Sequence, residues 1–186
     1  MTLLRYLRTQ VRANRLANHR LHRALAALSE DDFHARRTGF FPSLAGTLNH
    51  ILLVDRYYLD CLHGRADARD RAHRHIDCAT LADLVGQQTG EDERFIALLD
   101  GAVSEALRHT VQMPRSDRIQ CEPMANVVAH LLAHQVHHRG QVHGMLSGTA
   151  VAPPQLDEFL MSSEAHLRHA DLEALGWSEA LLFPAD

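Results

Sequence analysis

The sequence predicts an all-α protein, a four-helix bundle, from three observations. Four long stretches carry apolar residues at alternating steps of three and four, the period of one helix face. Aliphatic residues are plentiful while aromatics make up only 5%, as expected of a soluble helical protein. Residues that start and stop helices flank each stretch, and four amphipathic helices of that length pack as a bundle. The 186 residues suit a single domain with one sizeable core. We divide it into a bundle over about 2–148 and an extension over 149–186.

The first helix is expected from about Thr2, a suitable N-cap, to Leu28. Its seam is Leu4, Leu7, Val11, Asn14, Asn18, Leu21, Leu25 and Leu28. The turn residues in "SEDD" and "RRTGFFPS" end it. The second helix follows Pro42, with Ser43 as N-cap, and stops near Gly64. The polar segment "GRADARDRAHRHIDCA" reads as a long connection. Thr80 and Asp83 resemble a capping box with Asp in place of Glu, opening a third helix that runs to about His109. Its seam, Leu81, Leu84, Gln88, Asp92, Phe95 and Leu99, is broken twice by polar residues. "TVQM" and "RIQC" around "PRSD" form a short hairpin. Pro123 suits the first position of the fourth helix, and Gly148 its C-terminal glycine. The tail holds one or two short helices.

Composition excludes several functions. The net charge of -4 provides no global attraction to nucleic acid or anionic lipid. All nineteen basic residues are arginine, so a Walker-type phosphate loop and a Schiff-base lysine are both excluded. Cys61, Cys78 and Cys121 form no CxxC pair and no disulfide framework, which fits a reducing compartment. Arginine recurs through the first fifteen residues, so there is no signal-peptide core, and no apolar run approaches the ~20 residues that span a bilayer. We read a cytoplasmic protein with a small-molecule substrate and no membrane or nucleic-acid partner. The stripe Arg5, Arg8, Arg12, Arg15, His19 and His22 lacks stacking aromatics and any reading motif. A solvated or dimer-facing helix side accounts for it.

The stretch "HLLAHQVHHRGQVH", residues 130–143, holds five histidines. Helical rotation of about 100° per residue sorts them. With His134 at zero, Val127, Leu131, Val142 and Met145 fall between about +20° and +80°, and His138 at about +40° lies among them. His130 and His137 lie on the flank at about -40° and -60°, and His143 points opposite, toward water. His134 and His138 are thus an inward pair on adjacent turns, spaced to converge on one ion. On the second helix His50 sits in a buried stripe with Val54, Tyr57 and Cys61. A lone histidine there is usually a satisfied core residue; beside an inward pair it becomes a third ligand. Three neutral imidazoles in one core are costly unless something uses their lone pairs, and a divalent cation does so.

Three protein ligands with an open position characterise a catalytic metal site. The open position accepts water or a thiolate. His137 and Tyr57 are candidate catalytic assistants. His130 and Gln141 are candidate pocket contacts, although a partly exposed flank also accounts for His130 and His137. Asn14, Asn18, Gln88 and Asp92 either line a polar chamber or make isolated buried polar contacts; Asp92 could supply a fourth ligand to a closed, non-catalytic site. Gln135 stands where a zinc protease of HExxH type has its glutamate base, which disfavours proteolysis. Arg139 points away from the ligands and suits packing or an interhelical or subunit contact.

"TLNHILLVDRYY", followed some eighty residues later by "HLLAHQVHHRGQVH", resembles the DinB-like metalloprotein superfamily over roughly residues 1–148. The resemblance rests on His50, the HxxxH of His134 and His138, and the trailing "HRGQ". It implies a four-helix bundle with a long crossover connection, often as a homodimer. It also implies a divalent metal on His50, His134 and His138: zinc or nickel first, iron or manganese after them. Characterised members of the superfamily include transferases and isomerases that use bacillithiol, mycothiol or glutathione, so a low-molecular-weight thiol co-substrate is implied. The alternative is a non-catalytic metal-binding stress protein.

Overall fold

Four long helices form a closed ring, and the elements between them set the order in which they close it. The computed structural model describes residues 1–157 and 160–184. Along the chain come α1 (Leu3–Leu25), α2 (Glu30–His34), α3 (Leu44–Leu62), α4 (Ala68–His73), α5 (Leu81–Asp100), the strands β1 (Thr110–Pro114) and β2 (Ile119–Pro123), α6 (Met124–Leu146), α7 (Ala165–Leu175) and α8 (Glu179–Leu182). Among the described residues no helix is long and apolar enough to cross a membrane.

The expected caps form. The side chains of Thr2, Ser43 and Thr80 accept the amides of Arg5, Gly46 and Asp83, satisfying donors that a helix start otherwise leaves unpaired. Other boundaries differ from expectation. Ser29 opens a helix of its own, α2, by capping Asp32, with three acidic residues in the first turn where the helix dipole favours them. The polar connection contains α4. The third long helix stops at Asp100, nine residues before His109. Arg8 takes up its last carbonyls, donating to Leu99, Asp100 and Ala102 at 3.0–3.1 Å, and a 3-10 turn at Ser104–Arg108 follows. Pro123 ends β2 and caps α6 instead of being its first residue. Part of the arginine stripe of α1 packs against the end of α5 instead of standing in solvent. Besides Arg8, Arg12 pairs with Asp100 at 2.7 Å.

In the ring, α1 packs on α5 and α6, and α3 packs on the same two. Side-chain partners give the directions. Asn49 meets Cys78, Gln88 meets Asp55 and Arg94 meets Asp60, so α3 and α5 run parallel. The connection over 63–80 therefore returns along the whole bundle, a long crossover. Helices α1 and α5 are antiparallel, as Asn18 bonds Asp92 and Arg12 bonds Asp100.

The core has two apolar clusters, one around Leu7, Phe95 and Leu131, the other around Leu25, Leu48 and Leu146. Between them runs a buried polar belt to which all four long helices contribute. The Asp92 carboxylate accepts Asn18 Nδ2 at 2.9 and 3.1 Å, and Asn14 and Gln88 at 3.4 Å. Arg139 donates to Asn14 Oδ1 at 2.7 Å and to Asn18 Oδ1 at 2.8 Å. Gln88 also donates to Asp55 at 2.7 Å, and Gln135 donates to the same Asp55 oxygen. On the outer face of α1, a third cluster joins Leu16 to Leu172 and Leu182 of the tail helices. Arg20 and Asp171 pair there at 2.7 Å, both buried.

Burial dominates the charges in the belt. It raises the Asp92 carboxyl to about 6, against the opposing Asn18 bond and the Arg15 charge. It raises Asp55 well above the carboxylate range and lowers the Arg139 guanidinium to about 10, against the pull of Asp92 and Asp55. A carboxyl raised by folding holds its proton in the native state while the unfolded chain has lost it. Its stabilising effect is full below about pH 4 and is lost as pH rises through about 6. The Asp92→Asn variant is thus expected to lose part of the stability decline between pH 4 and 6, on the order of 3 kcal/mol. Urea denaturation across that range measures it; the same slope in variant and wild type would remove the claim.

Candidate metal centre

Antiparallel packing of α3 on α6 brings His50 level with His134 and His138. One ring nitrogen from each lies within 4.8 Å of the other two. His50 Nε2 and His134 Nε2 are 3.1 Å apart. The His138 ring centroid is 4.6 Å from that of His50 and 4.4 Å from that of His134. His138 is buried and the other two half-buried, so the cluster sits at the rim of the core with one side toward solvent. This follows from α6, whose buried face centres on Leu131, Gln135 and Val142; by helical rotation His134 lies at the edge of that face.

Neighbouring groups orient the rings. His138 Nδ1 donates to Gln141 Oε1 at 2.8 Å, because the amide oxygen can only accept. That leaves His138 Nε2 with its lone pair free. Gln141 Nε2 in turn donates to His137 Nε2 at 3.1 Å. Phe41 stacks on His50 with ring centroids 4.2 Å apart. Two residues before it, Gly39 lies against the Met145 methyl. Burial lowers all three histidine pKa values: His134 to about 3, with the neighbouring histidines adding to it, and His50 and His138 below 6.5. All three rings are therefore neutral at pH 7, the form that binds metals.

The donor set fits a divalent ion. Two nitrogens bound to one tetrahedral zinc at ~2.05 Å lie about 3.3 Å apart, close to the 3.1 Å between His50 and His134. His134 Nδ1 is buried with no hydrogen-bond partner among the described residues.

The other candidates fall into separate groups. His137 touches the cluster, its ring centroid 4.7 Å from that of His138. His130 is exposed, 6.3 Å from His134 and 5.0 Å from Tyr58 by ring centroids, and lines a 310 Å³ cavity with Tyr58 and Arg115. Tyr57 donates its hydroxyl to Pro114 O at 2.7 Å and lies two turns from His50, about 10 Å along the axis. Asn14, Asn18, Gln88 and Asp92 are brought together with one another in the belt and are buried. Arg139 bonds inside that belt. His143 does not point to water: it is half-buried and its Nε2 bonds Pro154 O at 3.0 Å.

Three contributors escaped the sequence reading. Phe41 lay in a stretch read only as a helix stop. Gln135, at about +100° by the same rotation, belongs with Leu131 and Val142, but was weighed only against the glutamate of a zinc protease. Asp55 gave no signal, because a single acid in a helix is normally solvated.

Two comparisons bear on this geometry. A model of the DinB family matches residues 4–171, past residue 148 and into α7. The Protein DinB of Bacillus subtilis (strain 168) is 25% identical over 164 residues, 80% of this chain and 90% of that relative.

Proposed function

The chain belongs to the DinB family, and on that premise we propose that it is a metal-dependent enzyme acting on a small molecule. His50, His134 and His138 hold one divalent ion, zinc or nickel before iron or manganese. The reaction is transfer of a low-molecular-weight thiol to an electrophile, or a related isomerisation or hydrolysis. The observation that carries this reading is the convergence of three neutral imidazoles at the rim of the core, where protein ligands cover one side and solvent the other.

An ion in that position supplies Lewis acidity, lowering the pKa of a water or thiol toward neutrality. The chain's own residues do the rest. Gln141 fixes the tautomer of His138 and links it to His137. A thiol or water that becomes a nucleophile releases a proton, and His137 and His130 are the rim imidazoles able to take it at a ring nitrogen. Phe41 excludes water from one face of His50. The Tyr57 hydroxyl secures the hairpin. Asn14, Asn18, Gln88 and Asp92 act behind the ligands, holding α1 and α5 to α6. The homodimer implied by the resemblance and the cytoplasmic location read from composition belong to the same proposal, and sedimentation of the metal-loaded protein tests the dimer.

Gln141→Ala is expected to weaken metal binding about 10–100-fold, the usual effect of losing a partner that orients a ligand. Competition with a chromogenic chelator reads this directly, and unchanged affinity would free His138 from that dependence. The activity test incubates metal-loaded protein with glutathione, bacillithiol or mycothiol and a panel of electrophiles, following loss of free thiol. Consumption that disappears in His134→Ala supports the enzyme. Consumption no faster than in that variant, for every pair, favours a non-catalytic metal-binding protein.

A further inference from the structure

A second site lies on the opposite flank of α3. A 430 Å³ cavity opens beside α3, α4 and α5, and none of the three clustered histidines lines it. Four guanidinium groups do, those of Arg56, Arg71, Arg74 and Arg94, against the carboxylates of Asp60 and Glu91. The wall therefore carries two positive charges in excess. The carboxylates hold the guanidiniums in place: Arg94 and Arg71 bond Asp60 at 2.6 and 2.7 Å, and Arg56 bonds Glu91 at 3.3 Å. Among the described residues the Arg71 side chain bonds only through Nε, so its two terminal amino groups keep their donors. The Arg74 side chain is exposed.

His75 is the observation that points to a ligand. It is not on the surface, as its position in a polar connection implied; its side chain is only 6% exposed. Arg56 Nη1 lies 3.2 Å from His75 Nδ1. A guanidinium only donates, so Nδ1 accepts and the proton of the neutral ring sits on Nε2. That Nε2 is buried without a hydrogen-bond partner among the described residues; the Asp77 carboxylate stands off at 3.6 Å. Burial, helped by Arg56, keeps the ring pKa below 6.5, so it stays neutral at pH 7. A buried donor without an acceptor costs about 1–3 kcal/mol, and the residue that carries this one lines a cavity with surplus positive charge.

We propose that this cavity binds a small phosphate monoester, whose oxygens accept from His75 Nε2 and from the unused donors of Arg71 and Arg74. A phosphate monoester offers acceptors in several directions and about two negative charges at neutral pH. It matches the charge excess, and guanidinium groups bind it through paired donors. A lone carboxylate would leave one positive charge unmatched.

The test titrates inorganic phosphate into the protein at constant ionic strength, by calorimetry and by the thermal midpoint. Saturable binding is expected in the wild type and in His134→Ala, and at least tenfold weaker binding in Arg74→Gln and His75→Phe. Phosphate should also shift the nuclear magnetic resonance of the wild-type His75 Nε2 proton, which decides the matter even where His75→Phe does not fold. Absence of binding, equal binding in Arg74→Gln, or loss of binding in His134→Ala would each overturn the proposal; the last would place the anion at the histidine cluster.

Discussion

Replacing His134 with alanine is expected to leave the purified protein without its metal, where untagged wild type carries close to one equivalent of a divalent ion. His134 is one of only three nitrogen donors in the cluster. Its removal should weaken binding by more than the roughly 10–100-fold that follows loss of an orienting partner. His50→Ala and His138→Ala should behave alike. His143→Ala should keep the metal, because that ring is engaged with Pro154 of the tail. Elemental analysis reads all four variants. Added metal should raise the thermal midpoint of wild type and of His143→Ala only, since an ion stabilises the fold it binds. Metal retained by all three ligand variants would sink the site.

Arg139→Met is expected to destabilise the fold by about 3–5 kcal/mol, as when one partner of a buried charged set is removed. The methionine fills similar space but donates nothing. Asn14 Oδ1 and Asn18 Oδ1 lose the donors they now have at 2.7 and 2.8 Å. Asp92 and Asp55 lose the cation whose attraction opposes their burial. For a domain of this size the thermal midpoint should fall by about 6–20 °C. Adding Asp92→Asn should recover part of the loss, because the unpaired charge goes with it, and a double-mutant cycle reads that coupling. A loss under ~1 kcal/mol in Arg139→Met would mean the belt is not held by its cation.

Helical period and capping chemistry made most of the bundle legible. Thr2, Ser43 and Thr80 cap where expected, because a cap depends only on residues within one turn. The same holds for the hairpin around "PRSD". The third helix is shorter than its pattern predicts, and its last carbonyls are taken up by Arg8, some ninety residues away. At the histidine cluster, rotation singles out His134, His138 and His50, since spacing on one helix is a local property. The sequence could not say that Asn14, Asn18, Gln88 and Asp92 lie at one level, which depends on how the helices are set against each other. Nor could it find Phe41, which reaches His50 from a loop. His75 lies in a charged connection, where exposure is the ordinary expectation; its contact with Arg56 of α3 draws the ring in.

The belt also constrains the order of assembly. Helices α1 and α6, the first and last of the ring, bond each other directly through Asn14, Asn18 and Arg139, residues 125 and 121 positions apart. A nascent chain that has made α1, α3 and α5 holds two buried-type acids, Asp55 and Asp92, with neither Gln135 nor Arg139 to meet them. Closing so long a loop is entropically costly, and the partial bundle meets these acids with the neutral donors of Asn18 and Gln88. The last helix of the ring thus delivers the cation of the belt and two of the three clustered histidines at once.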